Sequence, residues 1–280
     1  MIQIKDLNFG YSKKSQLFNN LNLNLSKGHI YGLLGKNGAG KSTLLHNITG
    51  LAYPKSGYCF INGLNSANRP VELLEDLYFI PEEIYVPSVT AANFVKSTAP
   101  FYPLFNDDQF YTYLNEFEVP REAILSKLSF GQQKKAMIAF GLATNTSVLI
   151  MDEPTNGLDI PSKAQFRKLI ASVLTEDRCI VISTHQVRDL DNLIDTLVVL
   201  NNREIIVNQS LDIITEKVYF DTLAPDDTRP VLYQEDSMRG KNVIIPNTEG
   251  LYSKVDMELL FNAIISNNQS LIQLLNTPII

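Results

Sequence analysis

The chain has 280 residues, 45% of them apolar, and its 24 lysines and arginines against 30 aspartates and glutamates leave a net charge of −6. That is room for one large domain, or a large and a small one, around a real core, and it excludes extended disorder. The acidic balance, with no long basic block, disfavours a nucleic-acid partner.

Two cysteines, Cys59 and Cys179, stand alone inside apolar segments and read as reduced core residues of a cytosolic protein rather than a disulfide or metal site. The three histidines are scattered, and no Cys/His cluster has zinc spacing. The opening stretch Met1-Ile2-Gln3-Ile4-Lys5-Asp6 alternates like a strand, so it reads as no signal peptide. No run approaches the ~20 apolar residues of a membrane span, so work at a membrane would need another chain to do the spanning.

In chain order, Ile2, Ile4 and Leu7 begin an alternation that Leu17, Leu21, Leu23 and Leu25 continue, so residues 2–34 read as strands and tight turns. Within them, Tyr11 of Phe9-Gly10-Tyr11-Ser12 is either a half-buried strand-end tyrosine or a ring on which a base could stack. The apolar run His29-Ile30-Tyr31-Gly32-Leu33-Leu34 reads as a buried strand, and Leu44-Leu45-His46-Asn47-Ile48-Thr49 as a helix stopped by Gly50. Between them lies Gly35-Lys36-Asn37-Gly38-Ala39-Gly40-Lys41-Ser42-Thr43. In that strand–loop–helix setting the glycines let backbone N–H groups turn inward around a phosphate, and the helix start adds unpaired donors. Lys41 supplies a mobile charge for the outer phosphates and Ser42 a hydroxyl for a magnesium ion. A bound nucleoside triphosphate is the expectation.

Pro54, Ser56, Gly57, Asn62 and Gly63 punctuate a hairpin pattern, and residues 78–80 make another strand ending in Pro81-Glu82-Glu83. From Val89 to about Leu128 the pattern turns helical, with prolines 100, 103 and 120 at the joints. Its aromatics (Phe94, Phe101, Tyr102, Phe105, Phe110, Tyr111, Tyr113 and Phe117) fit either a small helical core or a partly exposed groove for a partner. Ser129 caps a strongly apolar helix running to about Ala143, a second helix start with bare N–H donors.

Ser147-Val148-Leu149-Ile150-Met151-Asp152-Glu153-Pro154 is an apolar strand ending in two acids, which is costly unless they meet a cation or water. Beside a phosphate loop, the first can hold magnesium through its water shell and the second can take a proton from an attacking water. Asn156-Gly157-Leu158-Asp159 is a turn, a helix starts near Pro161, and Cys179–Thr184 is another buried strand with His185 just past its end. At the carboxyl edge of a parallel sheet that histidine is placed to sense a terminal phosphate. Residues 196–200 and 204–207 close the sheet as a hairpin around Asn201-Asn202. After about Gln209 come short β-like pieces at 218–220, 231–233 and 243–245 and a helix capped by Asp256. This is a small α+β appendage of about seventy residues, too small to be more than a satellite, and no chemistry is legible in it.

Over roughly residues 1–210 the chain resembles the ATP-binding subunit of ABC transporters, through the phosphate loop, LSFGQ at 128–132, VLIMDEP at 148–154, Asn156–Asp159 and Ser183-Thr184-His185. The resemblance implies an α/β P-loop NTPase of ABC type: a mixed sheet core, an antiparallel β subdomain, a helical subdomain at about 84–145, and the appendage at 211–280. It implies that Tyr11 stacks on adenine and that Gly35, Asn37, Gly38, Ala39, Gly40, Lys41, Ser42 and Thr43 hold the phosphates. Ser42 and Asp152 would arrange Mg2+, Glu153 would be the general base and His185 the γ-phosphate switch. Ser129, Phe130, Gly131 and Gln132 would touch ATP held by the opposite subunit, with Asp159 in the loop between.

Two residues depart from the family's pattern. Phe130 replaces the first of two glycines in the signature, and Glu82 stands where a glutamine is usual, either as a metal ligand or facing solvent. One phosphate loop and one signature per chain imply two chains, identical or paralogous, head to tail around ATP. A separate transmembrane permease is the further partner, no nucleic acid is expected, and the place of work is the cytoplasmic, inner face of the cell membrane. The helical insert with Phe101-Tyr102-Pro103-Leu104-Phe105 and the short tail resemble bacterial export ATPases of the ABC-2 kind. Two other readings stay open: a soluble ABC-type ATPase acting on nucleic acid or ribosomes, and a non-hydrolysing nucleotide-binding regulatory module.

Overall fold

The computed structural model describes residues 1–12, 15–238 and 240–278. The opening alternation becomes β1 (Ile2–Phe9) and β2 (Phe18–Leu25), antiparallel, with Ile2, Ile4, Leu21 and Leu23 turned inward and the polar residues between them out. β3 (His29–Leu34) is instead buried at every residue after His29, as befits a strand covered on both faces. α1 (Lys41–Ile48) leaves the glycine loop that follows β3. β4 (Ser56–Ile61) and β5 (Leu64–Asn65) form the expected hairpin and join β1 and β2 in a four-stranded antiparallel sheet, β2-β1-β4-β5.

After α2 (Val71–Glu75) and β6 (Leu77–Ile80) come the helices α3 (Ala91–Thr98), α4 (Asp107–Glu116) and α5 (Phe130–Ala143). The chain returns through β7 (Val148–Asp152), α6 (Ile160–Ser172), β8 (Cys179–Thr184), β9 (Thr196–Asn201) and β10 (Glu204–Ser210). These build a six-stranded sheet of order β10-β9-β3-β8-β7-β6. Every neighbouring pair is parallel except β9 with β10, so the sheet is mixed. The carboxyl ends of β3, β8 and β7 therefore lie side by side on one edge, where an open α/β sheet presents its ligand site.

The period of two along a strand divides the core. On β7, Val148 and Ile150 face a cluster shared with β1, β2 and α1, while Leu149 and Met151 face a second one beneath the helices. The aromatics of 94–117 mostly fill that second cluster: the rings of Phe94 and Phe105 each lie 4.9 Å from Phe140, and Phe110 lies 6.0 Å away. Phe101 and Leu104 remain outside, 68% and 65% exposed.

The tail is α7 (Leu211–Lys217), β11 (Val218–Leu223), β12 (Tyr233–Ser237), β13 (Gly240–Pro246), α8 (Met257–Ile265) and α9 (Gln269–Asn276), with the strands in order β11-β13-β12. The strand expected at 231–233 begins instead at Tyr233 and runs into Gln234-Glu235-Asp236, a polar edge with no apolar alternation to announce it. Phe220, Ile244, Leu260 and Ile264 belong to the same buried cluster as Leu149 and Leu190, so the core runs unbroken from the sheet into the tail.

Candidate functional site

The loop after β3 turns through Gly38 (φ +78°) and Gly40 (φ +108°), left-handed conformations that side chains resist. Nothing lies within 4 Å of a β-carbon built on Gly38, so the backbone there is open to a ligand. Gly40 also caps α1 without a side chain, leaving the helix's first N–H groups unpaired by it. Lys41 is buried, and its Nζ donates to the Gly35 carbonyl at 2.9 Å.

Asp152 ends β7 and Glu153 follows it, and the neighbouring β8 receives both. Asp152 accepts a hydrogen bond from Ser183 Oγ, and Glu153 Oε2 accepts from Thr184 Oγ1 at 3.0 Å. Glu153 Oε1 lies 2.8 Å from His185 Nδ1 and 3.6 Å from Lys41 Nζ. Glu153 is 4% exposed, so its carboxylate meets an ammonium, an imidazole and a hydroxyl in a largely dry place. Its backbone is left-handed (φ +46°), and its N–H donates to the Ser183 carbonyl at 3.0 Å. One layer behind, Asp189 accepts from Thr155 Oγ1 at 2.5 Å and pairs with Lys163 at 2.8 Å, tying the loop after Glu153 to the segment after His185.

These groups open into a cleft of about 640 Å³ lined by Tyr11, Asn37, Gly38, Gly40, Lys41, Ser42, Thr43, Glu82, Glu153, Asn156 and His185. Tyr11 stands at its mouth with the ring 73% exposed, set edge-on to Phe9 at 5.1 Å and anchored by a 2.8 Å hydrogen bond between its hydroxyl and Thr43 Oγ1. Glu82 is exposed and accepts from Asn156 Nδ2 at 3.3 Å. Gly35 and Ala39 pack under the loop, with the Leu200 carbonyl 2.5 Å and the Ala39 methyl 3.3 Å from where a Gly35 β-carbon would be.

The residues 129–132 do not line this cleft. Ser129 caps α5 in a reciprocal capping box with Gln132; Ser129 remains exposed and Gln132 is half-buried. A β-carbon on Gly131 would sit 3.2 Å from the Gly157 carbonyl, and Phe130 lays its half-exposed ring over Gly157. Asp159 caps α6 by accepting from Ser162 N at 2.9 Å, and those bonds hold its carboxyl below the usual carboxylate range. So Tyr11, the loop, Glu82, Glu153 and His185 share one cleft, whereas Ser129–Gln132 and Asp159 lie on the far side of the Asn156-Gly157 turn.

Sequence reasoning missed Lys134, wholly buried on α5, whose ammonium donates to the Glu153 and Asn156 carbonyls at 2.6 and 3.2 Å. Its spacing was the available signal: residue 134 shares a face with Ile138 and Gly141, both buried. Burial lowers its pKa from 10.5, against the pull of Glu82, Glu153 and Asp152.

A second depression, a groove of about 620 Å³, lies between the end of α1, α2, β6 and the joint after α3, lined by Leu51, Val71, Leu74, Phe79, Phe101 and Tyr102 among others.

Residues 18–156 match the family model described as ABC transporter. The chain is 29% identical over 76% of its length to the lantibiotic transport ATP-binding protein SrtF of Streptococcus pyogenes, covering 92% of that protein. It is 25% identical over 78% of its length to the ABC transporter ATP-binding protein YtrB of Bacillus subtilis, covering 74% of it. A solved structure of the ATP-binding subunit of an ABC transporter superposes with a TM-score of 0.69 at 26% identity, over 76% of this chain and 91% of that one. In sequence, in fold and in the order of its site loops, this chain belongs to the ABC transporter family, among its ATP-binding subunits.

Proposed function

We propose that the chain hydrolyses ATP in the cleft between the phosphate loop and Glu153, and that this drives export through a separate membrane permease. The observation that carries the reading is the Glu153 carboxylate, buried, fixed by Thr184 and His185, and 3.6 Å from Lys41. A water held against it gives up a proton to Glu153 as its oxygen attacks the terminal phosphorus. The bond to the bridging oxygen breaks, leaving ADP and inorganic phosphate. Lys41 and the loop amides stabilise the charge that gathers on the phosphoryl oxygens, His185 holds the carboxylate in line, and the Tyr11 ring offers its face to the base.

Among the described residues no cluster of three or more acids, cysteines or histidines could cage a metal alone. That suits Mg2+, which takes one or two protein oxygens and completes its shell with phosphate and water. Ser42 and Asp152 would hold it, with Glu82 on the facing wall, and it would neutralise phosphate charge.

Ser129–Gln132 present a capped helix start away from the chain's own cleft, which is what a head-to-tail pair needs: each copy's signature closes over ATP in the other. The apolar groove at Leu51, Val71 and Phe101 is where a permease segment would dock. No helix among the described residues is long and apolar enough to cross a membrane. On this reading the chain works from the inner face of the membrane on a partner that crosses it. Residues 1–210 are the motor, with the helical part at about 84–145, and 211–280 are an appendage to it. The test is E153Q. Turnover should fall by at least about 100-fold while MgATP still binds and holds two chains together in gel filtration. A wild-type rate in that variant overturns the assignment.

A further inference from the structure

The cation buried behind the catalytic loop is unexplained by the reaction so far. Lys134 lies on α5, one helical turn past Phe130, with no exposed surface. Its ammonium donates to two main-chain carbonyls, Glu153 at 2.6 Å and Asn156 at 3.2 Å, and lies 5.6 Å from the centre of the Phe130 ring. Burying an ammonium is costly, and an apolar side chain would fill the stripe with Ile138 and Gly141 without that cost. What the charge supplies is two strong, directed hydrogen bonds. Both land on the loop between β7 and α6, residues 153–159, whose first residue Glu153 has a left-handed backbone that a carbonyl anchor helps to fix.

We propose that Lys134 is a positioning residue for catalysis: by holding the Glu153 and Asn156 carbonyls it aims the Glu153 carboxylate at the reacting water. Since it rides on the helix that begins at Ser129, it also ties the signature to that carboxylate within one chain. The proposal rests on the reading of Glu153 as the base. It places Lys134 outside the nucleotide's reach, so turnover and nucleotide affinity should separate when it is changed.

The experiment is steady-state hydrolysis of MgATP by full-length K134M, K134Q and E153Q and by the K134M/E153Q double variant, each with a thermal melt. K134M should lower kcat by about 10- to 100-fold with KM within about threefold. K134Q, whose amide can donate to the same two carbonyls without the charge, should recover most of that loss. In the E153Q background K134M should cost less than about threefold further, because the carboxylate it aims is already gone. K134L replaces K134M if the methionine variant does not fold. Wild-type kcat in the apolar variant, equal losses in the apolar and glutamine variants, or multiplying losses in the double variant would each overturn the proposal. Failure of the base assignment is read separately, as E153Q alone turning over at the wild-type rate.

Discussion

Glu153 is held from every side: its N–H by Ser183, its carbonyl by Lys134, and its carboxylate by Thr184, His185 and Lys41. A side chain so determined tolerates little shortening. E153D, one methylene short, should lose about 100-fold in kcat, measurable in the same assay as E153Q. The two cysteines make a second prediction at this scale. Burial pushes the Cys59 and Cys179 thiols from 9.0 up to about 12, so the folded chain keeps protons that the unfolded chain gives up. The stability this brings is whole below pH 9 and drains as pH rises toward 12. Iodoacetamide at about pH 8 should therefore leave both unlabelled until denaturant is added, and the urea midpoint should fall above about pH 9. Labelling of the native protein would show the strands carrying them to open locally. At this scale much was legible in the sequence, because an apolar strand that ends in two acids advertises its purpose. Lys134 was not, since in the helix expected from Ser129 the run Gln132-Gln133-Lys134-Lys135 looks like a solvated face until the spacing to Ile138 and Gly141 is counted.

Among the elements, α5 shows local sequence fixing a functional edge. Ser129 and Gln132 cap each other, so S129A should cost about 1 kcal/mol in urea unfolding and loosen the helix start at 129–132. The element most open to a quantitative test is α8, which packs against the turn at 187–190 just after His185. Leu260 is fully buried there, whereas Glu258 makes an exposed 2.7 Å pair with Arg188. L260A should destabilise by about 3 kcal/mol and E258A by less than about 1. The reverse ranking would mean that charge, not packing, docks this helix. The strands of the central sheet could be read from their continuous apolar runs, but α7, α9 and β12 could not. The two helices, Leu211–Lys217 and Gln269–Asn276, are short and carry few periodic positions, and they are set by packing on neighbours far away in the chain. Likewise, whether the aromatics of 94–117 made a core or a groove depended on Phe140, which gathers their rings from thirty or more residues downstream. F101E, in the groove they leave open, should weaken co-purification with the permease while sparing hydrolysis measured without the permease. Unchanged co-purification would place the docking surface elsewhere.

For the whole molecule, one buried cluster joins sheet, helices and tail, so the chain should melt in a single calorimetric transition, and L260A should lower that transition rather than split it. A separate peak for the tail would mean the shared core is energetically broken at about residue 210. The sheet order is what assembles the site, bringing the ends of β3, β8 and β7 to one edge although β3 stands more than a hundred positions before the other two in the chain. Sequence could name the three loops, and family resemblance could say that they meet, but only the register of neighbouring strands supplies the distances. Last, the cleft draws none of its walls from 128–132. On the proposed head-to-tail pairing, a solitary copy is an engine with half its cylinder missing. It can be made in surplus without idling away the cell's fuel, and combustion waits for the encounter of two copies.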